Sequence, residues 1–335
     1  MLVYLPQYQP QPKGTFLSKL LSMDWLGIIL NAAMFATWVL VVIFGSGQWG
    51  WRDARTITLW VVFGVILVTF ILTQYFSVCT TPERRLFPGQ FLRHRSLVLF
   101  FISTASATTA LFVSTYFIPL LFQFVYADSA MEAAVRLLPF IIILIFFMLL
   151  NGGLMPVLGY YFPWYTLGSI FVLIGGAVMI TVDADTPVAK IYGYSVLVAV
   201  GTGATMQIAY SAASAKVELA SVPAVVGFIN TAQIGGGVIA LGIAGSIFQS
   251  LSLKNLETAL SGKGYSVDEL RGAIAGAQSA LFRSASPEIQ RVAIDAIVHA
   301  IDKVYFMVVT AGAVLLLSSL AMKREKLSFN TDPGA

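Results

Sequence analysis

One cysteine, Cys79, stands in 335 residues, so neither a disulfide framework nor a cysteine-built metal site can organise this chain. Histidine is nearly as scarce. His94 and His299 are far apart and poorly supplied with acidic neighbours, which offers no start to a metal site or a hydrolytic triad. Charge is thin everywhere. Asp, Glu, Lys and Arg make up 11% of the residues, against about 25% in a soluble domain. Hydrophobic residues make up 58%, and the mean hydropathy is +0.83. The net charge of +4 comes from Lys and Arg in connecting segments, so it reads as topology and not as a nucleic-acid footprint. The first residues, MLVYLPQYQPQPKG, lack the basic stretch and apolar core of a cleavable leader. The first apolar run is therefore expected to act as its own insertion signal.

What the chain has in abundance is apolar length. Between Leu97 and Met155 lie two runs, each long enough to cross a bilayer, parted by a short polar turn at Ala127–Glu132. Similar runs lie near 25–44, 57–76, 165–182, 192–213, 225–248 and 304–322, which predicts eight spans in all. Lys and Arg in the connections set the orientation. Ten fall on one side: Lys13, Lys19, Arg84, Arg85, Arg93, Arg95, Lys216, Lys323, Arg324 and Lys326. Four fall in the short loops of the other: Arg52, Arg55, Arg136 and Lys190. The imbalance puts both termini in the cytoplasm and makes Arg84, Arg85, Arg93 and Arg95 the topology anchor. The long connection 249–303 carries six basic and six acidic residues and is discounted. Within it, Ser266-Val267-Asp268-Glu269 fits a capping box and Ser286-Pro287-Glu288 starts a second helix. Two short amphipathic helices are expected on the outer surface.

No Asp, Glu, Lys, Arg or His falls inside these apolar runs, which argues against a membrane enzyme and leaves no metal or cofactor to place. The runs instead hold amides, aromatics and glycine. Gln123 closes the third run, Gly201-x-Gly203-x-x-x-Gln207 lies in the sixth, and Asn230-x-x-Gln233-x-Gly235-Gly236-Gly237 in the seventh. Small residues let helix backbones approach closely, and amides either bond across helices or face a cavity. With Tyr116 and Phe122, residues Gln123, Gln207, Asn230 and Gln233 form a candidate set for a bulky, weakly polar ligand in a mostly apolar site.

Three ordered motifs go further. They are Tyr116-x-x-Pro119-x-x-Phe122-Gln123, Ser129-Ala130-x-Glu132-x-x-Val135-Arg136-Leu137-Leu138-Pro139, and Gly152-x-Leu154-x4-Gly159-Tyr160-Tyr161. Together they resemble the fourteen-span fungal drug:proton antiporters of the major facilitator superfamily. Asp24-Trp25-Leu26-Gly27 resembles the start of that family's seventh span, Gly45-x-Gly47-x-x-Gly50-Trp51 the following outer loop, Gly201–Gln207 its twelfth span and Gln233–Gly236 its thirteenth. Where the family's loop signature has Asp-Arg and a basic pair, Pro156-Val157 and Tyr160-Tyr161 stand here. The tight turn is expected to survive there without the charge contacts of a cytoplasmic gate.

The resemblance implies an all-α polytopic membrane protein. Residues 1–24 would be a cytoplasmic segment, 25–96 two linker helices with a basic loop, 97–322 a C-terminal six-helix transporter bundle, and 323–335 a cytoplasmic tail. It further implies a truncated efflux transporter of small lipophilic compounds, working by proton antiport in the plasma or vacuolar membrane and without its first six spans. The partners would be lipid, a small lipophilic substrate and a missing six-helix half. The alternative is a non-transporting remnant or a subunit that pairs with a separate half. Gly152, Gly159, Gly201, Gly203, Gly235, Gly236 and Gly237 are expected to serve helix packing and gating.

Overall fold

The computed structural model describes residues 15, 20, 23–82, 84–276 and 279–327. We call the end that carries the basic 84–95 loop the inner end and the opposite one the outer end. Five of the helices start at a side chain that accepts from an otherwise unpaired backbone N–H: Asp24, Asp53, Ser129, Ser266 and Ser286. Asp24 caps α1 (Trp25–Gly47), accepting from Gly27 N at 2.7 Å. Asp53 caps α2 (Ala54–Tyr75). A short 3₁₀ turn leads into α3 (Arg95–Val125), which runs through Pro119. A Ser129–Glu132 capping box opens α4 (Ala130–Leu158), and Gly159 ends it in the left-handed region at φ 74°. Then follow α5 (Phe162–Met179), α6 (Val188–Thr205), α7 (Ile208–Ser214) and α8 (Val222–Ala259). The outer segment holds α9 (Val267–Ala275) and α10 (Ala280–Ser284), and α11 (Pro287–Ala321) returns to the inner end. Among the described residues there is no strand, and eight helical stretches are long and apolar enough to span a membrane.

Two boundaries depart from the sequence reading. The capping box at Ser266 and the proline start at Pro287 are both present. The second helix, however, is not a separate surface piece: it is the first half of α11 and runs unbroken into the last span. Its face Ala293, Ala296, Ile297, Ala300 and Ile301 is buried, so packing and not hydropathy sets where the helix stops. The sixth run is broken at Met206–Gln207 into α6 and α7. The Thr202 and Thr205 hydroxyls donate to the carbonyls of Val198 (2.7 Å) and Gly201 (2.9 Å) just before the break, a pattern that bends helices.

In the bundle, α3 packs on α8 and α11, α5 on α6 and α11, and α4 on α6, while the linker pair docks through α1 against α8. Two apolar cores result. On α3 the inner core ends at Phe100 and the outer begins at Ala110. Between them the buried residues are small or hydroxylated: Ser103, Thr104 and Thr108 on α3, Gly201–Gly203 on α6, Gly235 and Gly237 on α8. These positions let backbones touch. A methyl group on Gly203 would strike the Leu144 carbonyl of α4, and one on Gly236 would sit 3.0 Å from Ala105 of α3.

Candidate functional site

The break after α6 is the local event that builds the amide cluster. It leaves Gln207 at the break, aimed at α4, and turns Tyr210 onto a short helix facing α8, where Asn230 and Gln233 lie one turn apart. The Tyr210 hydroxyl donates to Gln233 Oε1 and lies 3.1 Å from Asn230 Oδ1. It has one hydrogen for two acceptors, so one amide always has capacity left for another donor. Gln207 points its Nε2 toward the Met148 sulfur of α4 at 3.6 Å, a weak contact that leaves most of its bonding capacity unused. Tyr210 was absent from the sequence candidates. Its spacing of three from Gln207, on a helix that starts between them, was the available signal.

The other candidates are dispersed. Tyr116 is 57% exposed and lines a separate cavity near the outer end with Leu120, Phe248 and Gln249. Phe122 lies wholly inside the core, under the Arg136 guanidinium at 5.0 Å and against Tyr126 and Tyr192. Gln123 is half-buried at the last turn of α3. Gly235 receives the Phe35 ring of α1 and Gly237 the Phe112 ring of α3, so α8 is wedged between linker and bundle. Gly152 faces open space. Of the four arginines, Arg85 donates to the Gln74 carbonyl and to Gln90, Arg95 donates to the Ala321 carbonyl at 3.1 Å, and Arg84 and Arg93 are exposed.

At the inner end, the turn after α4 keeps its left-handed Gly159 but has no charged residue of its own. A carboxylate arrives instead from the chain after α11. Glu325 pairs with Lys216 and accepts from the Tyr161 hydroxyl at 3.1 Å, while Leu327 N donates to the Gly159 carbonyl at 2.8 Å. Lys216 beside it holds the Glu325 carboxyl below the usual range, and burial together with Glu325 raises the Tyr161 phenol. The charge contacts missing from the loop are thus present, supplied from elsewhere in the sequence.

At the outer end, α11 carries a buried acid just ahead of its apolar run. Asp302 lies inside α11 and is buried, with Oδ2 3.4 Å from Nδ1 of His299, a histidine that sequence spacing had left without an acidic partner. The sequence reading started the last span at Val304, whereas the helix itself is continuous across Asp302.

Curated relatives from fungi share this sequence over nearly all of its length. It is 45% identical over 320 residues to the efflux pump patC of Aspergillus clavatus, covering 95% of this chain and 58% of that protein. It is 40% identical over 327 residues to the MFS-type transporter patC of Penicillium expansum, covering 97% and 60%. The chain belongs to the major facilitator superfamily. It spans about three-fifths of the length of these relatives. The crystal structure of a bacterial homologue of the human lysosomal transporter Spinster, inward-facing and occupied, superposes with a TM-score of 0.51 at 15% identity, covering 89% of this chain and 63% of that one. That likeness speaks for the fold. No family model matches the sequence.

Proposed function

We propose that this chain forms one half of an exporter of small lipophilic compounds driven by proton antiport, with both termini in the cytoplasm of a plasma-membrane protein. The observation that carries the reading is the amide cluster, because Gln207, Asn230 and Gln233 project unspent hydrogen-bonding groups from otherwise apolar helices. The relatives named as efflux pumps support it. Alternating access moves two halves about a shared midplane site, and a counterpart half would come from the same polypeptide or from a separate chain. The outward stripe of α4 is wholly apolar and suits hydrocarbon. Met131, Val135, Leu138, Ile142, Ile145 and Leu149 repeat at three and four residues, and each is at least 46% exposed.

The test is resistance and export in a pump-deficient fungal host. This chain alone should insert without conferring resistance, and joining it to six preceding spans should restore export. Gln207→Ala or Gln233→Ala in that assembly should change which compounds are exported at unchanged protein abundance. Loss of abundance in both variants would reassign the amides to helix packing.

A further inference from the structure

A cavity of about 360 Å³ opens at the outer end, where the last turn of α1 meets α3, α8 and the surface helix α9. That volume lies within the range of small-molecule sites, roughly 300–1,000 Å³. Its walls are apolar: Ile43 from α1, Leu120 from α3, Phe248 and Leu253 from α8, and Ile274 from α9. Polar groups converge on it without partners of their own. Among the described residues, the Tyr116 hydroxyl and the carboxamides of Gln48 and Gln249 make no side-chain hydrogen bond. Arg271 is the one charged residue in the lining. Its sole ion pair among the described residues is a long one of 3.5 Å to Asp268, whose side chain is 92% exposed. An ion pair with so exposed a partner is weak, so most of the guanidinium fork remains open to another anion.

We propose that this cavity binds an amphiphile with one anionic headgroup, its aliphatic body between α3 and α8 and its headgroup on Arg271, Gln48 and Gln249. Each part of that description follows from a part of the lining. Apolar walls set between membrane-spanning helices accept a hydrocarbon body and reject a fully polar solute. A guanidinium beside two carboxamides matches carboxylate or phosphate oxygens, and its positive charge disfavours a cationic headgroup. None of Gln207, Tyr210, Asn230 or Gln233 lines the cavity, so it is distinct from the amide cluster and stands whether or not the chain exports anything.

The experiment uses the full chain in phosphatidylcholine nanodiscs, with a diazirine-bearing long-chain fatty acid and its methyl ester as probes. The acid should label peptides of α3, α8 and α9 saturably, about ten-fold more than the ester, which corresponds to one charge-assisted contact. Arg271→Gln should reduce acid labelling to the ester level. Gly245→Leu should abolish both, because Gly245 lines the cavity and a methyl group there meets nothing within 4 Å, so the larger side chain fills the space without disturbing the fold. Equal labelling by acid and ester, or acid labelling indifferent to Arg271→Gln, would overturn the proposal. Doping the discs with phosphatidylglycerol separates the sources. Displacement of the acid identifies a lipid headgroup as occupant, and persistence of labelling identifies a free lipophilic acid; either result upholds the site.

Discussion

Asp24 and Asp302 are the acidic residues least exposed among those described, at 4% and 7% over the whole residue, and their surroundings differ in kind. Asp24 sits at the inner end of the linker pair and accepts three N–H groups: Gly27 N at 2.7 Å, Gln74 Nε2 at 2.7 Å and Leu86 N at 3.1 Å. Gln74 in turn accepts from Phe87 N at 2.9 Å. The knot therefore ties the start of α1 to the end of α2 and to the basic loop that follows. Among the described residues, Asp302 has a single side-chain hydrogen-bond partner, the His299 imidazole, whose own side chain is 73% exposed. A carboxylate held by neutral donors from three segments is a structural fixture. One that faces a lone, solvent-open imidazole is held by little besides its position on α11.

The comparison is broken most forcefully by removing Asp24. Asp24→Ala strands three N–H donors and should lower stability by about 3 kcal/mol, at roughly 1 kcal/mol per unsatisfied group. Thermal unfolding of the detergent-solubilised protein measures this, and an unchanged midpoint would mean that water replaces the carboxylate. Next comes Gly27→Ala. A methyl group there would lie 2.7 Å from Gln74 Nε2 and against the Asp24 carboxyl, so a loss of about 1–3 kcal/mol is expected from overpacking. Gly64→Ala on α2, where nothing lies within 4 Å, is the matched control. It should be neutral or stabilising by up to about 1 kcal/mol. Asp302→Ala should change stability by less than about 1 kcal/mol, since its exposed partner is readily hydrated. A loss as large as that of Asp24→Ala would erase the distinction between the two sites.

The smallest effect is pH-dependent and concerns Glu325. Lys216 depresses its carboxyl below the unfolded value of about 4.3, so its contribution is present above that pH and is lost as pH falls through the lowered value. Below about pH 4 the residues around Glu325 should come away from Gly159 and Tyr161, read as faster protease cleavage near Lys326. Glu325→Gln should make cleavage fast at every pH, and Lys216→Ala should raise the pH at which release occurs.

The eight spans were legible because hydropathy over some twenty residues is a strong local signal, and the Ser266 box and Pro287 start because capping is local too. What was not legible involves partners far apart in sequence. Asp24 and Gln74 are 50 residues apart, and Lys216 and Glu325 are 109. The motif Asp24-Trp25-Leu26-Gly27 was readable as a resemblance, but why its glycine has no substitute emerges only with Gln74 in place. Asp302 was missed for a different reason. A hydropathy boundary was taken for a helix boundary, whereas α11 is held by packing well beyond its apolar run. Gln207 and Gln233 stood out as amides, yet Tyr210, which brings Asn230 and Gln233 together, depends on a helix break with no proline to announce it.

The continuity of α11 has a mechanical consequence. At 35 residues and 1.5 Å per residue it is a rod of about 52 Å, well over the roughly 30 Å of a bilayer's hydrocarbon. Its first turns stand clear of the lipid with His299 and Asp302 on them, and just past its last turn the chain reaches Lys216 and Tyr161 through Glu325. A tilt of the rod at its outer tip moves the inner tip the opposite way about a fulcrum in the membrane. Grip at one surface and release at the other are then two ends of a single lever.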